Sequence, residues 1–333
     1  MAELFLADTR GDLIESRHQV AVAVSDPEGR LVASASLTEE PVFWRSTAKP
    51  FQLWPLVHRG GVVPRGLESR HLALACGSHN AEPMHREVAA EWLERIGAQE
   101  SDLACGPHPS LSPRVADAMI REGIRPTPIW SNCSGKHAAM LALARHEGWP
   151  LEGYQRLEHP VQQAVGLSIA RWGDLPVEQL HWGVDGCAAA AVATPLRHLA
   201  TAWARLGTSE DPSLATIRNA IRSHPELVAG TGRLDTLLMQ AWAGLVLVKV
   251  GAEGVFAAGL PTLGLGLALK VADGDMRAAN VALAGVLDRL LRHVSPAEHW
   301  PMDALTPWHE PEIRNTRGDV TGRTVMHGQL HFT

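Results

Sequence analysis

A serine and a lysine three residues apart are the first pair in this chain whose types and spacing allow chemistry. They are Ser46 and Lys49, within Trp44-Arg45-Ser46-Thr47-Ala48-Lys49-Pro50-Phe51. The stretch reads as the entry to a helix running to about His58, with Ser46 near the N-cap. Residues three apart share a helix face, so hydroxyl and amine can meet. A serine is a poor nucleophile until a base takes its proton, and a lysine serves as that base when burial or a helix N-terminus lowers its pKa. S-x-x-K recurs by chance in most chains, but only four of the 30 basic residues are lysine: Lys49, Lys136, Lys249 and Lys270. A GC-rich coding sequence explains the swap to arginine. The survivors still inform, because arginine cannot lose its proton and lysine can. The role of Lys270 stays open.

Two further fragments extend the pair. Ser78-His79-Asn80 reads S-x-N, and Lys249-Val250-Gly251 reads K-x-G at the end of a strand. S-x-x-K, an S-x-N element and a K-x-G strand together form the set of penicillin-recognising serine hydrolases. Each short match has a plainer alternative, a loop serine or a strand-edge lysine. In this order, using two of four lysines, they favour a serine amidohydrolase.

A second focus is Asn132-Cys133-Ser134-Gly135-Lys136-His137, opening onto a helix from Ala138 to His146. Free backbone N–H groups at such an entry can receive a carboxylate. Cys133 and Lys136, one turn apart, are a reactive thiol beside a lysine, a metal pair, or a buried cysteine packing at a helix start. C-x-x-K is no standard zinc pattern. Asp185 and Cys187 flank Gly186 in an apolar context. If buried, Asp185 needs a partner, either a substrate amine or its own turn. The 17 histidines form no H-E-x-x-H zincin motif, and Gly264-Leu265-Gly266 lacks the rest of a dinucleotide fingerprint.

The elements that must hold these residues follow from the pattern. Gln19–Val24 and Arg30–Ala35 read as a β-hairpin around Ser25-Asp26-Pro27-Glu28-Gly29. Helices are expected at Pro83–Gly97, Ser112–Gly123, Pro160–Trp172, Pro195–Leu206, Pro212–Ser223 and Leu234–Trp242. Strands return at Leu245–Val250, Gly254–Ala258 and Leu265–Val271, then a helix at Met276–Arg292 and an end strand near Thr324–Met326. One sheet from both termini, about 8–45 and 244–330, with a helical region over about 46–242, makes a single α/β layered unit of residues 1–333. Apolar content of 45% and charged content of 20% suit a globular chain. A net charge of −6 with no basic stripe gives nucleic-acid binding no support. No apolar run reaches membrane-spanning length. The start, Met1 to Asp8, lacks the pattern of a signal peptide, and four cysteines are too few for a disulfide scaffold. The expectation is a cytoplasmic protein with reduced thiols.

Six blocks together resemble the Rhizobium etli type (class 3) L-asparaginases. They are Arg45–Pro50, Cys76–His79, Ser131–His137, Asp185–Cys187, His224–Gly230 and Lys249–Ala252, and the match runs from about residue 8 to the C-terminus. The resemblance implies hydrolysis of L-asparagine to L-aspartate and ammonia, by a homodimer with a serine β-lactamase/glutaminase-like fold and a central antiparallel sheet. It implies two Ser–Lys tandems, Ser46 with Lys49 and Ser78 with Lys249. It also implies a zinc ion on Cys133, Lys136 and Cys187 that helps bind substrate without supplying the nucleophile. Asp185 would meet the substrate α-amine, and Arg45, His137 or the zinc its carboxylate side. Thr47, Asn80 and the residues after Cys187 depart from the family pattern, leaving open asparagine against glutamine.

Overall fold

The computed structural model describes residues 3–36, 39–296 and 300–333; Met1 and Ala2 of the N-terminal stretch lie outside them. The described chain begins with β1 (Leu4–Arg10), β2 (Leu13–Ser25), β3 (Leu31–Ala35) and β4 (Pro41–Phe43). A 3-10 turn, Arg45–Ala48, runs into α1 (Lys49–His58), followed by α2 (Ser69–Ala75), α3 (Pro83–Arg95), α4 (Pro113–Glu122), α5 (Ser134–Glu147) and α6 (Pro160–Gly173). After β5 (His181–Val184) and β6 (Ala190–Pro195) come α7 (Leu196–Thr208), α8 (Pro212–Ser223), α9 (Pro225–Val228) and α10 (Leu234–Ala241). Then β7 (Leu247–Gly251), β8 (Val255–Leu260), β9 (Leu265–Val271), α11 (Met276–Val294), β10 (Glu312–Arg314), β11 (Val320–Gly328) and β12 (His331–Phe332) complete the order.

These elements form two compact units. The first joins Met1–Val42, Thr194–Thr208 and Leu237–Thr333. Its antiparallel sheet has the order β10-β11-β1-β2-β9-β8-β7, with β3 between β2 and β12. The Val20–Val24 run lies in β2 and pairs with β9 from Val20↔Val271 to Val24↔Leu267. Every residue of β7 and β8 is buried, the pattern of strands covered on both faces. Helices α7 and α11 supply cover, α7 against β2, β8 and β9, and α11 against β1, β8, β9 and β11. α7 comes so close that a Cβ on Gly266 would stand 2.0 Å from the Ala200 carbonyl oxygen, so only glycine fits there. The α/β architecture with its antiparallel sheet drawn from both chain ends is therefore the one read from the sequence. The sheet starts earlier than expected, at Leu4, and Leu4 pairs with Gly328.

The second unit, Phe43–Ala193 with Ser209–Thr236, is mainly helical. α1 packs against α5, α6 and α8, and α2 against α3, α5, α8 and α9. Residues 49–56 of α1 are all buried, which makes it the central helix of its unit. Two glycines let backbones meet around α2. A Cβ on Gly135 would sit 2.6 Å from Leu74 O, and one on Gly77 would sit 2.5 Å from Leu227 O. These contacts draw the loop after α2 and the start of α5 together. A small sheet, β4-β6-β5, accompanies the helices, with Trp182 opposite Val192. Among the described residues no helix is long and apolar enough to cross a membrane.

Candidate active site

Ser46 lies in the 3-10 turn that leads into α1, not at a side-chain cap: the turn makes no capping bond. The residue before it, Arg45, has φ +49°, an uncommon backbone for a residue with a Cβ, and such strain gathers at functional positions. Ser46 is partly exposed and forms no side-chain hydrogen bond among the described residues. Lys49, one turn on, is completely buried. Its Nζ donates to Gly77 O, to Ser78 Oγ at 3.1 Å and to Asn132 O at 3.4 Å. The Lys49 amine thus lies among three acceptors. The serine hydroxyl within bonding reach of Lys49 is that of Ser78, itself buried.

The Ser78 loop is held by backbone. Ser78 N–H donates to Val228 O and Asn80 N–H to Ala229 O, while His79 N–H donates to Asn132 O. Gly230, at φ +127°, lets the chain pass Asn80, whose Oδ1 accepts from Arg233 Nη1 at 3.1 Å. This is what the His224–Gly230 block does physically: it forms the wall against which Ser78 is set. Lys249 belongs to the other unit, where it is buried on β7 with Nζ donating to Val250 O at 2.8 Å.

At the N-terminus of α5 a second cluster forms. The helix starts at Ser134, four residues before the expected Ala138, so Cys133 is its N-cap and Lys136 lies in its first turn. Lys136 Nζ is 2.9 Å from Cys187 Sγ and 3.7 Å from Asp185 Oδ2. Asp185 Oδ1 accepts from Arg45 Nε at 3.0 Å and from Gly186 N at 2.9 Å. The Cys133 thiol donates to Asn132 Oδ1 at 2.9 Å, and the Cys187 sulfur acts on it electrostatically. Asn132 therefore touches both clusters, its carbonyl on Lys49 and its side chain on Cys133.

The charges divide accordingly. The neighbouring Cys133 thiol, then the Lys136 and His137 charges, hold Cys187 far below the ordinary thiol range despite burial. The Cys187 sulfur, with burial, raises Cys133. Burial would lower Lys136, but the Cys187, Cys133 and Asp185 charges outweigh it and raise the amine. His137 is pushed down by burial, opposed by Cys187.

Tyr154, which the sequence reading passed over, fixes His137. Its hydroxyl oxygen accepts from Ala104 N at 2.9 Å and meets His137 Nδ1 at 2.6 Å. The usable signal was that it is the chain's one tyrosine. Cys105, also buried, is pushed up to about 11 by burial and bonds Pro128 O.

Among the described residues no three His, Cys, Asp or Glu side chains are placed to hold a metal ion. Two thiols and an amine nevertheless converge, a sulfur and nitrogen donor set that suits Zn²⁺ with one position left for a ligand. Binding would release the protons of Cys133 and Lys136. The residues present fit the ion.

The geometry brings together a buried lysine on a serine hydroxyl and an Arg45–Asp185 ion pair beside a thiol–amine cluster. The family model for L-asparaginase II matches residues 7–326, and the chain belongs to that family. No curated protein sequence matches it. Solved structures similar to it include a β-lactamase from Mycobacterium bovis, at 16% identity over 83% of this chain and 95% of that one, with a TM-score of 0.46. A simvastatin synthase from Aspergillus terreus is similar at 12% identity over 76% of this chain and 86% of that one, with a TM-score of 0.39.

Proposed function

We propose that the protein hydrolyses L-asparagine to L-aspartate and ammonia through an acyl-enzyme on Ser46, with Lys49 as base. The observation that carries this reading is the Lys49 amine, fully buried one turn after a partly exposed serine and bonded at 3.1 Å to a second, buried one. A nucleophile must be reachable by substrate, which favours Ser46. A proton relay is better kept from water, which favours Ser78. Lys49 takes the Ser46 proton as Oγ adds to the side-chain amide carbon. The proton goes on to the amide nitrogen, ammonia leaves, and water then releases aspartate from the ester. A backbone N–H near Ser46 would stabilise the developing oxyanion.

Asp185 and Arg45 present opposite charges to the substrate α-amine and α-carboxylate, exchanging their mutual bond for bonds to the ligand. His137 remains the alternative carboxylate partner. Cys133, Lys136 and Cys187 would hold zinc, which supplies Lewis-acid binding of substrate when present. Lys249 as partner of Ser78, a homodimer and a cytoplasmic location are carried into the proposal by the sequence resemblance.

Ammonia release from asparagine and glutamine, with wild type beside Lys49→Arg and Ser46→Ala, tests the reading. A base that must lose its proton predicts a loss of about 10²–10⁴-fold in Lys49→Arg with the fold retained. Normal turnover in either variant overturns the assignment. Glutamine turned over in preference moves the protein to the glutaminases. Binding of asparagine and zinc without turnover of either amide makes it a silent amino-acid-binding protein.

A further inference from the structure

At the far end of α5 three guanidinium groups converge on one cavity. It has a volume of about 470 Å³ and is lined by Pro64, Arg65, Arg95, Ile96, Arg145 and His146. The cations come from separate elements: the 3-10 turn Val63–Arg65, the last turn of α3 and the last turn of α5. Arg95 is neutralised, pairing with Glu91 and with Glu68 at 2.7 Å. Arg65 and Arg145 are not. Among the described residues neither has a carboxylate at ion-pair distance, and Glu147, the nearest acid along the helix, is taken by Arg59 at 2.7 Å.

The bonds these two arginines do make leave most of each five-donor fork open. Arg65 Nη1 donates to Gly61 O at 3.2 Å and to His146 Nδ1 at 3.1 Å. His146 is anchored through Nε2 to Arg59 O at 2.8 Å. Arg145 Nη2 donates to Gly97 O at 2.8 Å. Basic residues at helix C-termini complement the dipole, and that alone accounts for one arginine at each end. It does not account for uncompensated guanidiniums from different elements sharing one cavity. Partial burial and the nearby Arg145 charge both disfavour the Arg65 cation. A bound anion would relieve that cost.

We propose that this cavity binds a multiply charged phosphate-class ligand, a diphosphate or a small phosphomonoester, on Arg65 and Arg145. Guanidinium forks match phosphate oxygens two at a time, and the volume leaves room for more than one phosphate group. The inference is independent of the amidase reading. Lys136 and Arg145 are nine positions apart on α5, about 14 Å along the helix.

The test is calorimetric titration of the full chain with pyrophosphate, inorganic phosphate and citrate at matched ionic strength, with sodium chloride as the screening control. One saturable site is expected, with pyrophosphate tightest, weakened about tenfold or more in Arg145→Gln and abolished in Arg65→Gln/Arg145→Gln. No saturation, or an unchanged affinity in Arg145→Gln, overturns the proposal. Citrate binding as tightly as pyrophosphate overturns the phosphate class. Arg145 is exposed, so the single variant decides the matter if the double one does not fold.

Discussion

Tyr154 holds the His137 ring through Nδ1. The tyrosine oxygen accepts from Ala104 N–H and also bonds His137 Nδ1, so it orients the ring. His137 Nε2 makes no hydrogen bond among the described residues, and the Cys187 sulfur acts on the ring. Partners that orient a group beside a metal commonly change its affinity 10–100-fold when removed. Tyr154→Phe is therefore expected to weaken zinc binding by about that factor, read by competition against a chelating dye, with little change in melting temperature. An unchanged zinc affinity would limit Tyr154 to packing. Residues of this kind are hard to read from a sequence. Ser46, Lys49, Lys136 and Cys187 stand out by rarity and spacing, whereas Tyr154 acts through Ala104 and His137, 50 and 17 positions away. Asn132 was visible only as a neighbour of Cys133, and its contact with Lys49 spans 83 positions.

At the scale of elements, α8 shows how one carboxylate ties a helix to the unit. Asp211 Oδ1 accepts from Ser213 N, Leu214 N and Trp54 Nε1, so it caps α8 and pins it to α1. Burial opposes its charge, but the bonds from Leu214, Trp54 and Ser213 prevail and lower its pKa below the ordinary 3.8. A carboxyl depressed in the folded state stabilises fully above its unfolded value, and that contribution fades as pH falls through the folded one. Asp211→Ala should cost about 1 kcal/mol at neutral pH, as cap losses do. The gap in melting temperature should narrow as pH drops below 3.8; a gap constant down to pH about 3 would mean that the neutral acid caps as well. Most helices and the long strands were legible because their periodicity is strong and Pro or Gly marks their ends. β6 was not, since the Ala188–Ala193 run is nearly all alanine and valine without alternation. The start of α5 was misread because Ser134 and Gly135 are weak helix formers, kept there by the close approach to Leu74.

For the molecule as a whole, the sheet depends on residues at opposite ends of the chain. β11 pairs with β1 from Leu4↔Gly328 to Asp8↔Thr324, and β12 pairs with β3. A chain ending at Asp319 would leave β1 and β3 with open edges. Such a truncation is expected to be insoluble or to lose its cooperative melt in scanning calorimetry; a truncated chain that melts like the full one would show those pairings to be dispensable. The end-to-end sheet was legible as strand-rich termini, while its strand order was not, because pairing between residues 300 positions apart leaves no local trace.

That same pairing sets a timetable for the nascent chain. At about 5–20 residues per second, β1 leaves the ribosome roughly 15–60 s before the residues that complete its ladder exist. The unit carrying Ser46 and the thiols is drawn from residues 43–193 and 209–236, so all of it has been made while the sheet still lacks β7 to β12. Until then the sheet is at most β1, β2 and β3, a three-stranded ribbon with both edges exposed. Slower synthesis or a holding chaperone would thus act on the sheet unit and spare the helical one.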